Sequence, residues 1–298
     1  MAGNSIPKSR PKLACEIAAD RVLAGRVSER GGALDMSAST ELAPGTVVPD
    51  LMEGNLRERT AIFQTIRDTL DSVGGRSRDV IAVLPDTSVR VVLLDFETLP
   101  PKRDEVEAVV RFRLKKSLPF DLEKAKVSYH AQPAPGGVRV IAAVALTSIV
   151  EDYENAFREA GYTPGIVMPS MLAALGAASS ERPTMIIKVD ARTTSIAILD
   201  QNQLLLFRTL ENARGITISG DQLAEEVYPS IVFFQDTYSL NIQRIFLAGL
   251  PESTSAAAAL RAQTEAEVRE LVSAGQLGTE NGTVPKWRMA GVVGALLS

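Results

Sequence analysis

The 298-residue chain holds one cysteine, Cys15, and one histidine, His130. A single cysteine excludes an internal disulfide framework and suits a reducing compartment. One histidine and one cysteine also leave almost nothing from which to build a zinc site. A basic excess is lacking too: the net charge is -4 and the pI about 5.3, the opposite of the footprint that nucleic-acid binding demands. No apolar run reaches the ~18 residues of a membrane span. The longest, Val138–Val150, reads as a buried strand running into a helix. The first dozen residues, with Ser5, Pro7, Lys8, Arg10 and Pro11, lack the apolar core of a signal peptide. These absences predict a soluble, cytoplasmic chain without nucleic-acid partners or direct membrane insertion.

Self-sufficient catalytic signatures are missing as well. There is no G-x-x-x-x-G-K-[ST] loop to wrap phosphates, no G-x-G-x-x-G after a strand, no G-x-S-x-G elbow and no H-E-x-x-H. A Ser–His–acid triad has only His130 to draw on, and that residue lies in the alternating run VSYHA, where an ordinary strand histidine is expected. Asp86, Asp95 and Glu97 sit at strand ends, a usual place for polar residues. The basic run Arg111–Lys116 (RFRLKK) reads as a solvated helix C-terminus whose charges complement the helix dipole.

What is present is the composition of a globular protein, 45% hydrophobic and 23% charged, long enough for one large domain or two to four lobes. Leu13–Val27 reads as two strands about a turn at Ala19–Asp20, with Gly31–Thr40 a candidate third. An amphipathic helix follows from Leu56, with Phe63, Ile66, Leu70 and Val73 at spacings of three and four and Gly74–Gly75 to end it. Val80–Leu84 and Val89–Phe96 read as strands. Between Pro101 and Ser117 lies a helix with the stripe Val106, Val109, Val110, Leu114. Strands are expected around Val127–Ala131 and over Val138–Leu146. Ser148 and Glu151 have capping-box spacing ahead of a helix with Ile149, Val150, Tyr153, Ala156 and Phe157 on one face. Met171–Ala178 is a short helix. The β pattern then restarts with Met185–Asp190, Ser195–Leu199 and Leu204–Arg208. Helices over Gly220–Tyr238, Ser255–Ser273 and Trp287–Leu297 follow, with a buried strand at Ile242–Ala248. Two halves that each open on a β-meander suggest an internally duplicated α/β fold.

The stretch from Val80 carries a specific likeness. Leu84–Pro85, Leu99–Pro100 and Leu118–Pro119–Phe120, separated by a strand and a helix, recur in this order in PilM proteins of type IV pilus assembly, which this segment resembles. The following strand, helix and Ala160–Gly161 turn, the upstream segment Gly45–Leu70 and the downstream FLAGLPE are similar to the same family. The resemblance implies an actin-like fold of the FtsA/PilM type: duplicated RNase H-like lobes, an inserted α+β subdomain 1C, and a reduced or missing subdomain 2B between Arg208 and Gly220. It divides the chain into lobe 1A (1–78, 165–182 and 286–298), subdomain 1C (79–164) and lobe 2A (183–285). It implies a scaffold of a pilus or related type II secretion complex, peripheral to the inner membrane, holding the short cytoplasmic tail of a PilN-like bitopic protein in a groove of 1A and 1C and meeting other pilus assembly proteins. Val89–Leu94 and Val106–Leu114 are candidates for the groove wall.

The family also binds ATP between its lobes, through loops of the form D-I-G-x-x-x-x-K and D-I-G-x-x-x-T. Glu16–Leu23 stands at the first, with Ala18 for the glycine and Leu23 for the lysine. A β-carbon there obstructs backbone approach to phosphate, and losing the lysine removes a phosphate-binding charge. Asp190–Thr194 stands at the second, read as two residues shorter, with Asp190 as the acid, Thr194 as the threonine and Arg192 or Arg21 as a remaining cation. Gly249–Leu250 replaces the adenine-side glycine pair. The expectation is a degenerate nucleotide site (Glu16, Asp190, Arg192, Thr194, Gly249) with no catalytic residue, no metal, no bound cofactor and no hydrolysis. The alternatives are an ATPase with a rearranged site, or the cytoplasmic lobe of a GspL-type secretion protein.

Overall fold

The computed structural model describes residues 10–28, 32–278 and 284–298; the sequence reading of residues 1–9, and of Gly31 as a strand start, lies outside them. The chain opens on the meander β1 (Leu13–Ile17), β2 (Arg21–Val27) and β3 (Leu34–Glu41), followed by α1 (Arg59–Val73) and β4 (Asp79–Leu84). α1 buries Ile62, Ile66, Leu70 and Val73 on one face and stops at Gly74, which has a positive φ. An excursion follows: β5 (Arg90–Phe96), α2 (Arg103–Leu114), β6 (Ala125–Ala134) and β7 (Gly137–Leu146). Then come α3 (Thr147–Glu159), β8 (Thr163–Pro169) and α4 (Ser170–Ala174).

The second half repeats the wiring of the first. β9 (Thr184–Val189), β10 (Thr193–Asp200) and β11 (Gln203–Glu211) form a meander, then α5 (Gly220–Tyr238), β12 (Arg244–Ala248), α6 (Thr254–Thr264) and β13 (Glu267–Glu270). The first sheet has the order β3-β2-β1-β4-β8 and the second β11-β10-β9-β12-β13. In each, the first strand pairs antiparallel with the second and parallel with the fourth. α7 (Ala290–Leu297) returns at the end of the chain to lie on α4.

Strand periodicity sorts the side chains into layers. Leu13, Cys15 and Ile17 of β1 face α1 and α3, while Ala14 faces a core shared by both sheets, α4 and α7. Met185, Ile187 and Val189 of β9 face α5 and α6, while Ile186 faces the shared core. The two lobes therefore pack through one continuous apolar layer, with Val292, Val293 and Leu296 of α7 inside it. The excursion β5–β7 forms a separate sheet, order β5-β7-β6, whose own core is closed by Val110 and Leu114 of α2.

Sheet pairing corrects several expectations. β4 and β8 belong to the first sheet, and Tyr153 and Phe157 of α3 pack in its core. The inserted unit is thus β5 to β7, narrower than 79–164. α3 begins at Thr147, and neither Ser148 nor any other side chain caps it, because the chain enters directly from β7. Ser255–Ser273 is not one helix: Glu265 adopts a left-handed conformation (φ 58°), ends α6 and turns the chain into β13. Thr163–Pro169, to which the sequence reading assigns no strand, forms β8. In α2 only Val110 and Leu114 are buried; Val106 and Val109 are half-buried, Val106 packing against the same core. Only residues 212–219 link β11 to α5, so no subdomain is inserted there.

Candidate functional site

The matching topology places the β1–β2 and β9–β10 turns opposite one another between the lobes. In the first, the Ala18 N–H donates to the Arg21 carbonyl; in the second, Asp190 N–H donates to the Thr193 carbonyl. Ala18 and Asp190 are therefore equivalent, and two residues before each lie Glu16 and Lys188. By strand alternation both point into the shared interior, on the faces of Ala14 and Ile186. Both are 3% exposed, and Lys188 Nζ lies 3.6 Å from Glu16 Oε1.

This pair anchors a charged cluster that crosses between the lobes. Lys188 Nζ also contacts Asp190 Oδ2. Arg21, from β2, reaches back to Asp190 at 3.5 Å and holds Asp20 at 2.7 Å. Ser170, at the start of α4, donates its hydroxyl to Glu16 Oε1, whereas Glu16 Oε2 has no partner among the described residues. Gly291 of α7 packs against Glu16: a β-carbon there would lie 2.7 Å from Oε2. Asp86, just beyond β4, accepts from the Met171 N–H and from the Ser195 hydroxyl of β10, each at 2.7 Å. Asp86 was read as an ordinary strand-end residue; it is a buried member of the interlobe cluster.

The electrostatics follow from burial opposed by pairing. Burial acts to lower the Lys188 pKa, but Asp190, Glu16 and Asp86 together outweigh it and the group is held above its ordinary value. Burial acts to raise Asp190, but Lys188 and Arg21 hold its carboxyl below the usual range. At Asp86 burial prevails, assisted by Asp190 and opposed by Lys188, and the pKa is pushed up to about 6.

The residues expected at a nucleotide site are only partly brought together. Glu16 and Asp190 share the cluster, and Arg192 lines the same small cavity, which measures about 30 Å³. That volume is room for a water or two, against the ~300–1,000 Å³ of a small-molecule pocket. Thr194 turns away: it is fully buried and its Oγ1 accepts from Asn212. Gly249 serves a turn, with φ +83° and a backbone so close to Val189 that a β-carbon would sit 1.7 Å from its carbonyl oxygen. Leu23, at the lost lysine, is core.

Structural equivalence also moves the second loop. The pattern D-I-G-x-x-x-T fits Lys188–Thr194 without a gap, so the loop is not two residues shorter. Lys188 stands at the acid and Asp190 at the glycine. Lys188 was the residue the sequence reading missed. Its signal was a lysine inside the otherwise apolar run MIIKV, since lysine is almost never fully buried unless paired.

A larger cleft, about 480 Å³, opens beside the cluster between Val89–Val91 and Phe207–Glu211, with Asp50 and Leu51 also lining it. β5 and β11 are each the edge of a sheet, and no backbone hydrogen bond joins them among the described residues. At the far end Gln132 closes the gap, donating to the Leu204 carbonyl (2.9 Å) and accepting from its N–H (3.1 Å). Arg139 adds a bond to the Tyr238 hydroxyl. No described helix is long and apolar enough to cross a membrane.

No family model and no curated protein matches the chain. Solved structures do match. PilM of a PilM–PilN type IV pilus biogenesis complex superposes with a TM-score of 0.78 at 21% identity, over 97% of this chain and 98% of that one. The cytoplasmic domain of EpsL, an inner-membrane component of the type II secretion system of Vibrio cholerae, gives 0.55 at 10% identity over 96% and 94%. The ethanolamine utilization protein EutJ from Carboxydothermus hydrogenoformans gives 0.56 at 9% over 98% and 91%. Duplicated sheets, the β5–β7 insertion and this superposition together give the chain an actin-like fold in the form seen in PilM.

Proposed function

We propose that this chain is a non-hydrolysing scaffold of a pilus or related secretion assembly, holding a short extended peptide from a PilN-like membrane protein. The observation that carries the reading is the Lys188–Glu16 pair: a lysine of this chain occupies the ground between the two loops, where a metal and phosphates would need to enter. The PilM-like superposition supports the choice of assembly, and the cleft between β5 and β11 supports the choice of ligand. Two facing strand edges offer unpaired N–H and C=O groups to an extended chain. Val89, Val91 and Leu210 supply apolar wall, and Arg90 and Arg208 the polar rim. This cleft lies between the inserted sheet and the second lobe, not in the groove of 1A and 1C that the resemblance implies, and Val110 and Leu114, candidates for that groove's wall, are committed to the core beneath α2.

Two measurements test the reading. Titration calorimetry with Mg-ATP is expected to show no heat of binding; micromolar affinity, or turnover above background, overturns the closed-site part. A labelled PilN-like tail peptide is expected to bind the parent chain and to lose binding in Thr209→Trp, which fills the cleft from the β11 side. Binding that survives the tryptophan unchanged rejects this groove.

A further inference from the structure

Two surfaces lie outside the cleft and are explained by nothing described so far. On α2, Phe112 is 67% exposed. Arg111 is occupied by Glu107 and Arg113 lies over the Phe96 ring, but Lys115 and Lys116 are exposed and have no ion pair among the described residues. On α5, Tyr228 is 49% and Phe233 46% exposed. Helical geometry puts Tyr228, Pro229, Val232 and Phe233 on the solvent face together with Asp221, Glu225 and Asp236. α5 has no lysine or arginine along its whole length, and Arg208 of the neighbouring strand is already stacked on Phe233. One surface is thus an aromatic ring amid cations, the other a pair of aromatic rings amid carboxylates. An aromatic centre within a polar rim is the layout of a protein interface.

We infer that these two faces dock on each other between copies of this chain, α2 of one protomer against α5 of the next. Charge complementarity selects the occupant: the basic end of α2 finds its match in the acidic face of α5, and a single contact accounts for every exposed aromatic on both helices. Made once between two protomers the contact is heterologous and its repetition yields a ring or an open chain; made reciprocally, α2 on α5 and α5 on α2, it closes a two-fold dimer. Its exposed charges make it sensitive to salt, and its aromatic centre supplies the hot spot.

The test is sedimentation velocity of the full chain as a function of concentration and salt, with melting curves to verify that the variants fold. The parent is expected to associate as concentration rises at low salt and to dissociate at high salt. Phe112→Ser, Lys115→Glu/Lys116→Glu and Glu225→Lys/Asp236→Lys should each weaken association by roughly tenfold or more. Mixing the two charge-reversed variants should restore it, since each then offers what the other lacks. A parent that stays monomeric at every concentration, variants that associate like the parent, or a mixture that stays apart overturns the proposal. So does a monomeric parent that binds anionic vesicles through Lys115 and Lys116, which would assign α2 to a lipid surface.

Discussion

The substitution Lys188→Met tests whether the interlobe cluster is what holds the site shut. Methionine keeps most of the volume and removes the charge. At 3.6 Å from Glu16, and with an effective dielectric near 20, that attraction alone amounts to about 5 kcal/mol. Removing a buried ammonium recovers part of its desolvation cost, so the net loss expected is the ~3–5 kcal/mol typical of breaking a buried pair. At roughly 2–4 °C per kcal/mol the melting temperature near neutral pH should fall by about 6–20 °C. The pH dependence carries a sign. Asp190 is held below its ordinary value by Lys188 and Arg21, so in the parent its contribution is present above the unfolded value and lost as pH falls through the folded one. Without Lys188, burial is opposed by Arg21 alone and the Asp190 pKa rises. The deficit of the variant should therefore shrink as pH falls through the raised Asp190 value. Adding Glu16→Gln should recover much of the loss, because the orphaned carboxylate goes with it. A Lys188→Met protein melting within about 2 °C of the parent, or a double variant no better than the sum of its parts, would refute the reasoning.

Asp86→Asn should change the shape of the stability–pH curve. With a folded pKa of about 6, above the ordinary carboxylate value, Asp86 favours the folded state fully below that ordinary value and loses this contribution as pH rises through about 6. The shift corresponds to about 3 kcal/mol, so the parent should show a decline between about pH 4 and about pH 6 that the neutral asparagine removes; parallel curves would count against it. Gly249→Ala should destabilise by about 3 kcal/mol or more, because a β-carbon cannot occupy a point 1.7 Å from the Val189 oxygen on the strand that carries Lys188. A parent-like melting curve in that variant would show that the turn can shift.

Much of the fold was legible because both lobes are built from strands with strong β-branched runs and tight turns. Met185–Asp190 and Val80–Leu84 announce themselves by composition, and the α1 and α3 faces by period. The parts that were missed depend on long-range pairing. β8, with Pro164 and Gly165 in it, carries little strand propensity and exists because β4 offers it an edge. β13 follows an alanine-rich helix with no glycine or proline to mark the break, and the left-handed turn at Glu265 is paid for by pairing with β12. The boundaries of the insertion failed for the same reason: nothing local tells a strand which of two sheets it will join.

The position of the interlobe site was legible in the two turns, but the pair that occupies it was not. Ala18 and Leu23 stand where the family resemblance implies phosphate contacts, but what occupies the space between the loops is not readable from those two positions. The internal repeat decides what fills it. Because β1 and β9 are equivalent strands, Glu16 and Lys188 occupy the same position in their lobes and face each other across the interior. A carboxylate at both positions would repel without a metal between them. One carboxylate and one ammonium attract without any ligand. With opposite charges at the two equivalent positions, the lobes are joined by an ion pair at this point. Arg21 repeats the logic one step further out against Asp190. The positive charge that joins the lobes is thus supplied by Lys188 and Arg21, while Leu23 stays in the apolar core.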